Sequence, residues 1–225
     1  MMRIWAALTA AVFLAGCGSA DAPVPEDTAS GAMPKKAVTA SARSPFWDEL
    51  ESNSTPPEEI GELEFVDTAG ERVKVSDYRG KKNVVLVFTR GFSGMLCPFC
   101  RTQSSRLVAN YEEFVSRDAE ILLIYPGGTE KLETFKQAAV AEHEDVDEVP
   151  FPILLDDGLD AVNFLNIGAA LALPSTYILD KSGGVRFAYV GESPNDRPSV
   201  RAMLAELDQV NGAEPSPEAK PEASS

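Results

Sequence analysis

Three cysteines and one histidine are all the soft metal ligands that this 225-residue chain offers, too few for a zinc centre plus anything else, or for a scaffold stapled by several disulfides. An apolar core therefore has to hold the fold. Positive charge is also scarce. Twenty Lys and Arg stand against 35 Asp and Glu, a net −15, which repels a phosphate backbone and argues against a nucleic-acid partner. The stretch Ile4 to Ala15 behind Arg3 falls short of the roughly 20 apolar residues of a bilayer-spanning helix, but has the length of the apolar region of a secretory signal. The acidic stretch Glu142 to Glu148 lacks the alternating ligands and the glycine of a calcium loop. There are no internal repeats, and the length suits one domain with extensions.

The apolar stretch ends in Leu14-Ala15-Gly16-Cys17, which resembles the lipobox of bacterial lipoproteins. The resemblance implies a signal peptide over 1–16, lipidation at Cys17 and a membrane anchor through that lipid; Gly18, rather than Asp, after the cysteine leans toward the outer membrane, facing the periplasm. Residues 17–44 are rich in Ala, Pro, Ser, Thr and Asp and poor in large apolar residues, so they read as a disordered tether. Residues 211–225 share that composition and read as a disordered tail. The domain is expected over 45–210, with Phe46 and Trp47 packing the start of the chain onto it.

Within the domain, two alternating runs, Glu62 to Val66 and Arg72 to Val75, flank Asp67-Thr-Ala-Gly70 and predict a hairpin with one wet face. Asn83 to Phe88 and Glu120 to Tyr125 are continuous apolar runs, as in strands covered on both faces, and the helical spacing between them over Cys100 to Ser116 makes a parallel βαβ unit. A second amphipathic helix is expected over Thr129 to Val140, a short apolar run at Phe151 to Leu155, a hairpin over Pro174 to Val190 and a closing helix over Ser199 to Val210. This order predicts an α/β fold, a central mixed sheet with helices on both faces.

The chemistry concentrates at Cys97-Pro98-Phe99-Cys100, where the first buried strand runs through a glycine-containing loop into a helix. A helix start presents unpaired N–H groups and a positive dipole end, which favour thiolate over thiol, so Cys97 is the expected exposed nucleophile. Pro98 suits the first helical turn. Cys100, nearly one turn further in, is placed to attack a mixed disulfide on Cys97 and release it. Three plain alternatives stand beside this one. A metal half-site lacks its remaining ligands; a structural disulfide across so short a loop contributes at most about 2 kcal/mol; and buried free thiols acting as small hydrophobes explain either cysteine singly.

Phe88-Thr-Arg-Gly91, Cys97 to Gln103, Leu173 to Asp180 and Gly184 to Tyr189 together resemble the peroxiredoxin-like (AhpC/TSA-like) branch of the thioredoxin-fold superfamily, over roughly Glu59 to Val210. The resemblance implies a thioredoxin-like fold and a substrate-binding role for Pro174, as a cis-proline beside the cysteines, with Leu173 before it. It does not fit throughout. The family's peroxidatic cysteine has a Thr three residues before it and a Pro seven before it; Cys97 has Gly94 and Arg90 there, and Cys100 has Cys97 and Ser93. Where the family's distant arginine is expected stands Pro174, leaving Arg90, Arg101 or Arg106 as substitutes. In some members the second cysteine aligns with the peroxidatic one, which would reverse the roles. Ser93-Gly94-Met95 reads as an insertion, and His143, among carboxylates, as an inert exposed loop residue. Three functions remain open: a membrane-anchored thiol-disulfide oxidoreductase, a thiol-dependent peroxidase, and a non-catalytic binding lipoprotein. The first two take a protein or small-molecule disulfide, thiol or peroxide and a thiol redox partner. No metal and no cofactor is called for.

Overall fold

Six consecutive side chains from Asn83 to Phe88 and eight from Ala119 to Pro126 are buried in a computed structural model that describes residues 45–93 and 95–212. These two strands, β3 (Asn83–Phe88) and β6 (Ala119–Pro126), pair in parallel from Asn83 opposite Ala119 to Phe88 opposite Ile124, as the continuous apolar runs require. On one side β7 (Ile153–Asp156) adds in parallel to β6, and on the other β8 (Ser175–Leu179) adds antiparallel to β3. The hairpins complete the sheet: β1 (Glu64–Asp67) and β2 (Arg72–Lys74) beyond β7, and β9 (Val185–Val190) beyond β8. The resulting order is β2-β1-β7-β6-β3-β8-β9. It is the mixed α/β sheet expected from the sequence.

Each face carries its own apolar layer, because side chains alternate across the strands. Val85, Val87, Ile121, Leu123 and Tyr125 meet Leu107, Phe135, Met203 and Leu207 from α1 (Pro98–Ala109), α3 (Leu132–Val140) and α5 (Val200–Gly212). Val84, Leu86, Phe88, Leu122 and Ile124 meet Ile60, Val75, Ala161 and Val162 on the opposite face. Both cysteines of the pair belong to the first layer.

Several local expectations need correction. The single helix over Cys100 to Ser116 is two: α1 ends at Ala109, and α2 (Tyr111–Val115) begins after Asn110, whose backbone sits at φ −119°, ψ 15°. The cause lies in the Asn110 side chain, which donates from Nδ2 to the Arg106 carbonyl at 2.7 Å and competes with the helix ladder. A short helix, α4 (Asp160–Phe164), was not foreseen; the buried Asp156 carboxylate starts it by accepting the N–H groups of Ala161 and Val162 at 3.1 and 3.0 Å. The last helix continues through Gly212, so the expected tail boundary at 211 falls inside it. His143 is half-buried rather than exposed, with its ring Nε2 at 2.9 Å from the Ser105 carbonyl. The signal, Cys17 and the tether lie outside the described residues.

The chain enters the domain as a strap. Phe46 is buried, whereas Trp47 keeps 55 % of its surface exposed. Further on, Asn53 lies along the outer edge of β9: its N–H donates to the Ala188 carbonyl at 3.0 Å, and its side-chain amide both donates to the Val190 carbonyl and accepts the Val190 N–H. Ser52 Oγ accepts the Ala188 N–H at 3.1 Å.

Because Leu86 has no exposed surface and lies at the centre of the sheet, Leu86→Ala should lower the unfolding free energy by about 2–5 kcal/mol in urea titrations.

Candidate active site

The cysteine pair hangs between the end of β3 and the start of α1. Beyond Phe88, Thr89 fixes the chain to β6, with its N–H and its hydroxyl both donating to the Ile124 carbonyl at 3.0 Å. Gly91 then adopts φ 73°, and a Cβ there would stand 2.5 Å from the Pro126 carbonyl oxygen. No other residue fits that crossing. The sequence read as an insertion forms a minute antiparallel hairpin, β4 (Phe92–Ser93) with β5 (Met95–Leu96), which delivers the chain to Cys97. Cys97 is the N-cap of α1, and Pro98 fills the first helical position.

Both cysteines are free thiols. Cys97 retains 7 % of its surface and Cys100 1 %, so the first is the more open of the two, but it is far less open than the sequence led us to expect.

Electrostatics divide the roles of the two sulfurs. A hydrogen bond from the Cys100 thiol holds Cys97 down to about 5, helped by the N–H groups of Cys100 and Phe99 and by the charge of Arg197, and opposed by burial. The same hydrogen bond, with burial and the neighbouring anion, pushes Cys100 well above an ordinary thiol, against the pull of Arg197 and the Arg90 N–H. The surroundings thus favour the charged form at Cys97 and the neutral form at Cys100.

Arg197 is the residue that the sequence reading missed. It is only 1 % exposed, and its guanidinium is spread over neutral acceptors: Nε donates to the Pro194 carbonyl at 2.8 Å, Nη1 to Gln103 Oε1, and Nη2 to Cys100 Sγ at 3.3 Å. Among the described residues no carboxylate forms an ion pair with it. A guanidinium keeps its charge in a protein, and a buried cation without a counter-ion is costly, so a thiolate in the same layer stabilises both charges. Two of the substitutes expected from sequence do other work. Arg101 pairs with Glu142, and the Arg106 guanidinium stands 5.8 Å from the Phe46 ring; Arg90 donates its backbone N–H to Cys100 Sγ at 3.4 Å. One signal for Arg197 was present: Gln103, a polar residue at a core-facing helical position three after Cys100, is 3 % exposed and needed a buried donor.

Pro174 is buried at the head of β8, whose first residue Ser175 pairs with Phe88. Its carbonyl accepts the Gly191 N–H at 2.9 Å, which ties this turn to the loop carrying Arg197. Leu173 is half-buried and engaged at both ends, its N–H donating to the Ile167 carbonyl at 2.8 Å and its carbonyl accepting the Ser175 hydroxyl at 3.0 Å.

Alkylation of Cys97 should follow the thiolate. Its rate with iodoacetamide is expected to rise through about pH 5 and level off above, rather than at about 8.5 as for a free cysteine. Arg197→Met should move that midpoint upward, because the cation favours the charged form. Mass-spectrometric rates across pH 4–9 check both.

Known proteins share this fold and part of this sequence. Residues 57–188 match the family model described as the AhpC/TSA family. Peroxiredoxin Bcp of Bacillus subtilis (strain 168) is 33 % identical over 103 residues, which cover 44 % of this chain and 58 % of that relative. The fold matches a cysteine-to-serine mutant of the peroxiredoxin 6 of Arenicola marina (TM-score 0.57, 15 % identity, 71 % of this chain and 73 % of that one). It also matches the mitochondrial 2-Cys peroxiredoxin of Plasmodium falciparum (0.54, 22 %, 65 % and 87 %) and the peroxidoxin BcpB of Mycobacterium tuberculosis (0.53, 17 %, 74 % and 100 %). The thioredoxin-like fold read from the sequence is therefore present, and the chain belongs to the AhpC/TSA family.

Proposed function

We propose that this protein is a thiol-dependent peroxidase in which Cys97 attacks a hydroperoxide and Cys100 resolves the product. The observation that carries the reading is the placement of Cys97 at the N-cap of α1, one turn from a Cys100 whose sulfur accepts the buried Arg197 guanidinium at 3.3 Å. In the first step the Cys97 thiolate takes the terminal oxygen of the hydroperoxide as sulfenic acid, and the O–O bond breaks to release an alkoxide that solvent protonates. Cys100 then attacks the Cys97 sulfur. The S–S bond forms, the S–O bond breaks, and the oxygen leaves as water with the Cys100 proton. An external thiol returns the pair to the dithiol. The peroxiredoxin names of the Bacillus subtilis relative and of the structural neighbours support this class.

Size and backbone pairing favour a peroxide over a protein disulfide. An opening of 7 % at Cys97 suits an attacking oxygen, whereas a protein disulfide has to align three sulfurs. The Leu173 backbone, the expected partner for an extended substrate, is already paired to Ile167 and Ser175. Thiol-disulfide exchange is the second reading, favoured by the Cys97–Cys100 spacing itself. The site is further proposed to face the periplasm, held by lipid on Cys17 as the Leu14 to Cys17 motif implies.

The test follows hydroperoxide consumption with a dithiol donor, beside reduction of a model protein disulfide. Wild type should consume peroxide well above the donor alone, Cys97→Ser should not, and Cys100→Ser should give one equivalent and then stall as a dimedone-reactive sulfenate. Disulfide reduction without peroxide turnover would make the second reading the right one, and neither activity would leave a binding protein. Separately, Cys17→Ser should move the protein from the membrane pellet to the soluble fraction.

A further inference from the structure

Arg197 sits on a loop, and the loop is held by residues remote from the cysteines. Gly191 opens it at a place where a Cβ would lie 2.0 Å from the Asp196 carbonyl oxygen, so the loop folds directly back on its own start. Asp196, the residue before Arg197, forms no ion pair with the guanidinium among the described residues. Oδ1 accepts the Tyr189 hydroxyl at 2.7 Å and the Trp47 indole N–H at 3.0 Å, and Oδ2 accepts the Glu192 N–H at 2.9 Å.

Trp47 grips the same loop through its backbone. Its N–H donates to the Arg197 carbonyl at 3.0 Å, and its carbonyl accepts the Ser199 N–H at 2.7 Å, which brackets Arg197 and Pro198 between two bonds. Asp48 continues the grip by accepting the Ser199 hydroxyl at 2.6 Å and pairing with Arg201. An indole left 55 % exposed contributes little to the core. Its polar edge is what the fold uses.

We propose that the strap at Trp47 and Asp48 positions the Arg197 guanidinium on Cys100, and thereby sets how readily the Cys97–Cys100 pair exchanges between dithiol and disulfide. Trp47 and Asp196 are positioning residues, neither touching sulfur. The inference rests on the cysteine pair being redox-active, as in the peroxidase reading, but not on peroxide being the oxidant. Arg197 stabilises the thiolate-bearing dithiol and has no such anion to stabilise in the disulfide. Loosening the strap therefore favours the disulfide.

A redox titration of the full chain against glutathione tests this without peroxide. Trp47→Phe, which keeps an aromatic ring but loses the indole N–H, and Asp196→Asn should each shift the dithiol–disulfide equilibrium toward disulfide by up to about tenfold, or about 30 mV. The decisive arm is the Arg197→Met background, in which Trp47→Phe should add nothing, because the strap acts through the guanidinium. A generally weakened fold would instead shift both backgrounds alike, and thermal melts alongside identify that case. An unchanged equilibrium in both strap variants, or an equal shift with and without Arg197, overturns the proposal. A wild-type pair that cannot be oxidised to the disulfide at all removes the redox reading itself, whereas redox cycling without peroxide consumption removes only the peroxidase.

Discussion

A buried positive charge without a carboxylate to answer it is the constraint around which this domain is organised. Arg197 is enclosed, its donors end on two carbonyl oxygens and a sulfur, and no ion pair reaches it among the described residues. Such a cation lowers the free energy of any anion that shares its layer. The sulfur pair at the start of α1 lies against it. Helix start, second thiol and guanidinium therefore act in one direction, and the acidic Cys97 is their joint result.

This arrangement also explains why the pair sits where it does in the sheet. β3 is central, locked between β6 and β8, and its exit is pinned by Thr89 and by the crossing at Gly91. The last strand, β9, lies two strands away and sends its following loop back over Pro174. Sulfur and guanidinium thus come from elements about a hundred residues apart in sequence and meet only through the sheet order.

How much of this the sequence disclosed follows the range of the forces involved. The continuous runs 83–88 and 120–125 announced buried parallel strands because burial on two faces writes itself into every residue. The alternating runs on either side of Asp67 to Gly70 announced their hairpin through local chemistry. Cys97 and Cys100 were legible as a pair from spacing alone. Arg197 left only the indirect trace at Gln103, since nothing around it in the chain distinguishes a surface arginine from one folded beneath a helix. Asn110 split a helix through one side-chain bond that helical periodicity does not see, and the burial of Cys97 depends on neighbours supplied from elsewhere in the fold.

At the far rim of the sheet, Ser52 and Asn53 occupy the outward main-chain groups of Ala188 and Val190, the side-chain amide of Asn53 imitating a passing strand. An unpaired edge invites another polypeptide to extend it. With those groups satisfied from within, this stretch of β9 is closed to edge-to-edge growth, and copies of the domain that meet must do so through side-chain surfaces or at another border.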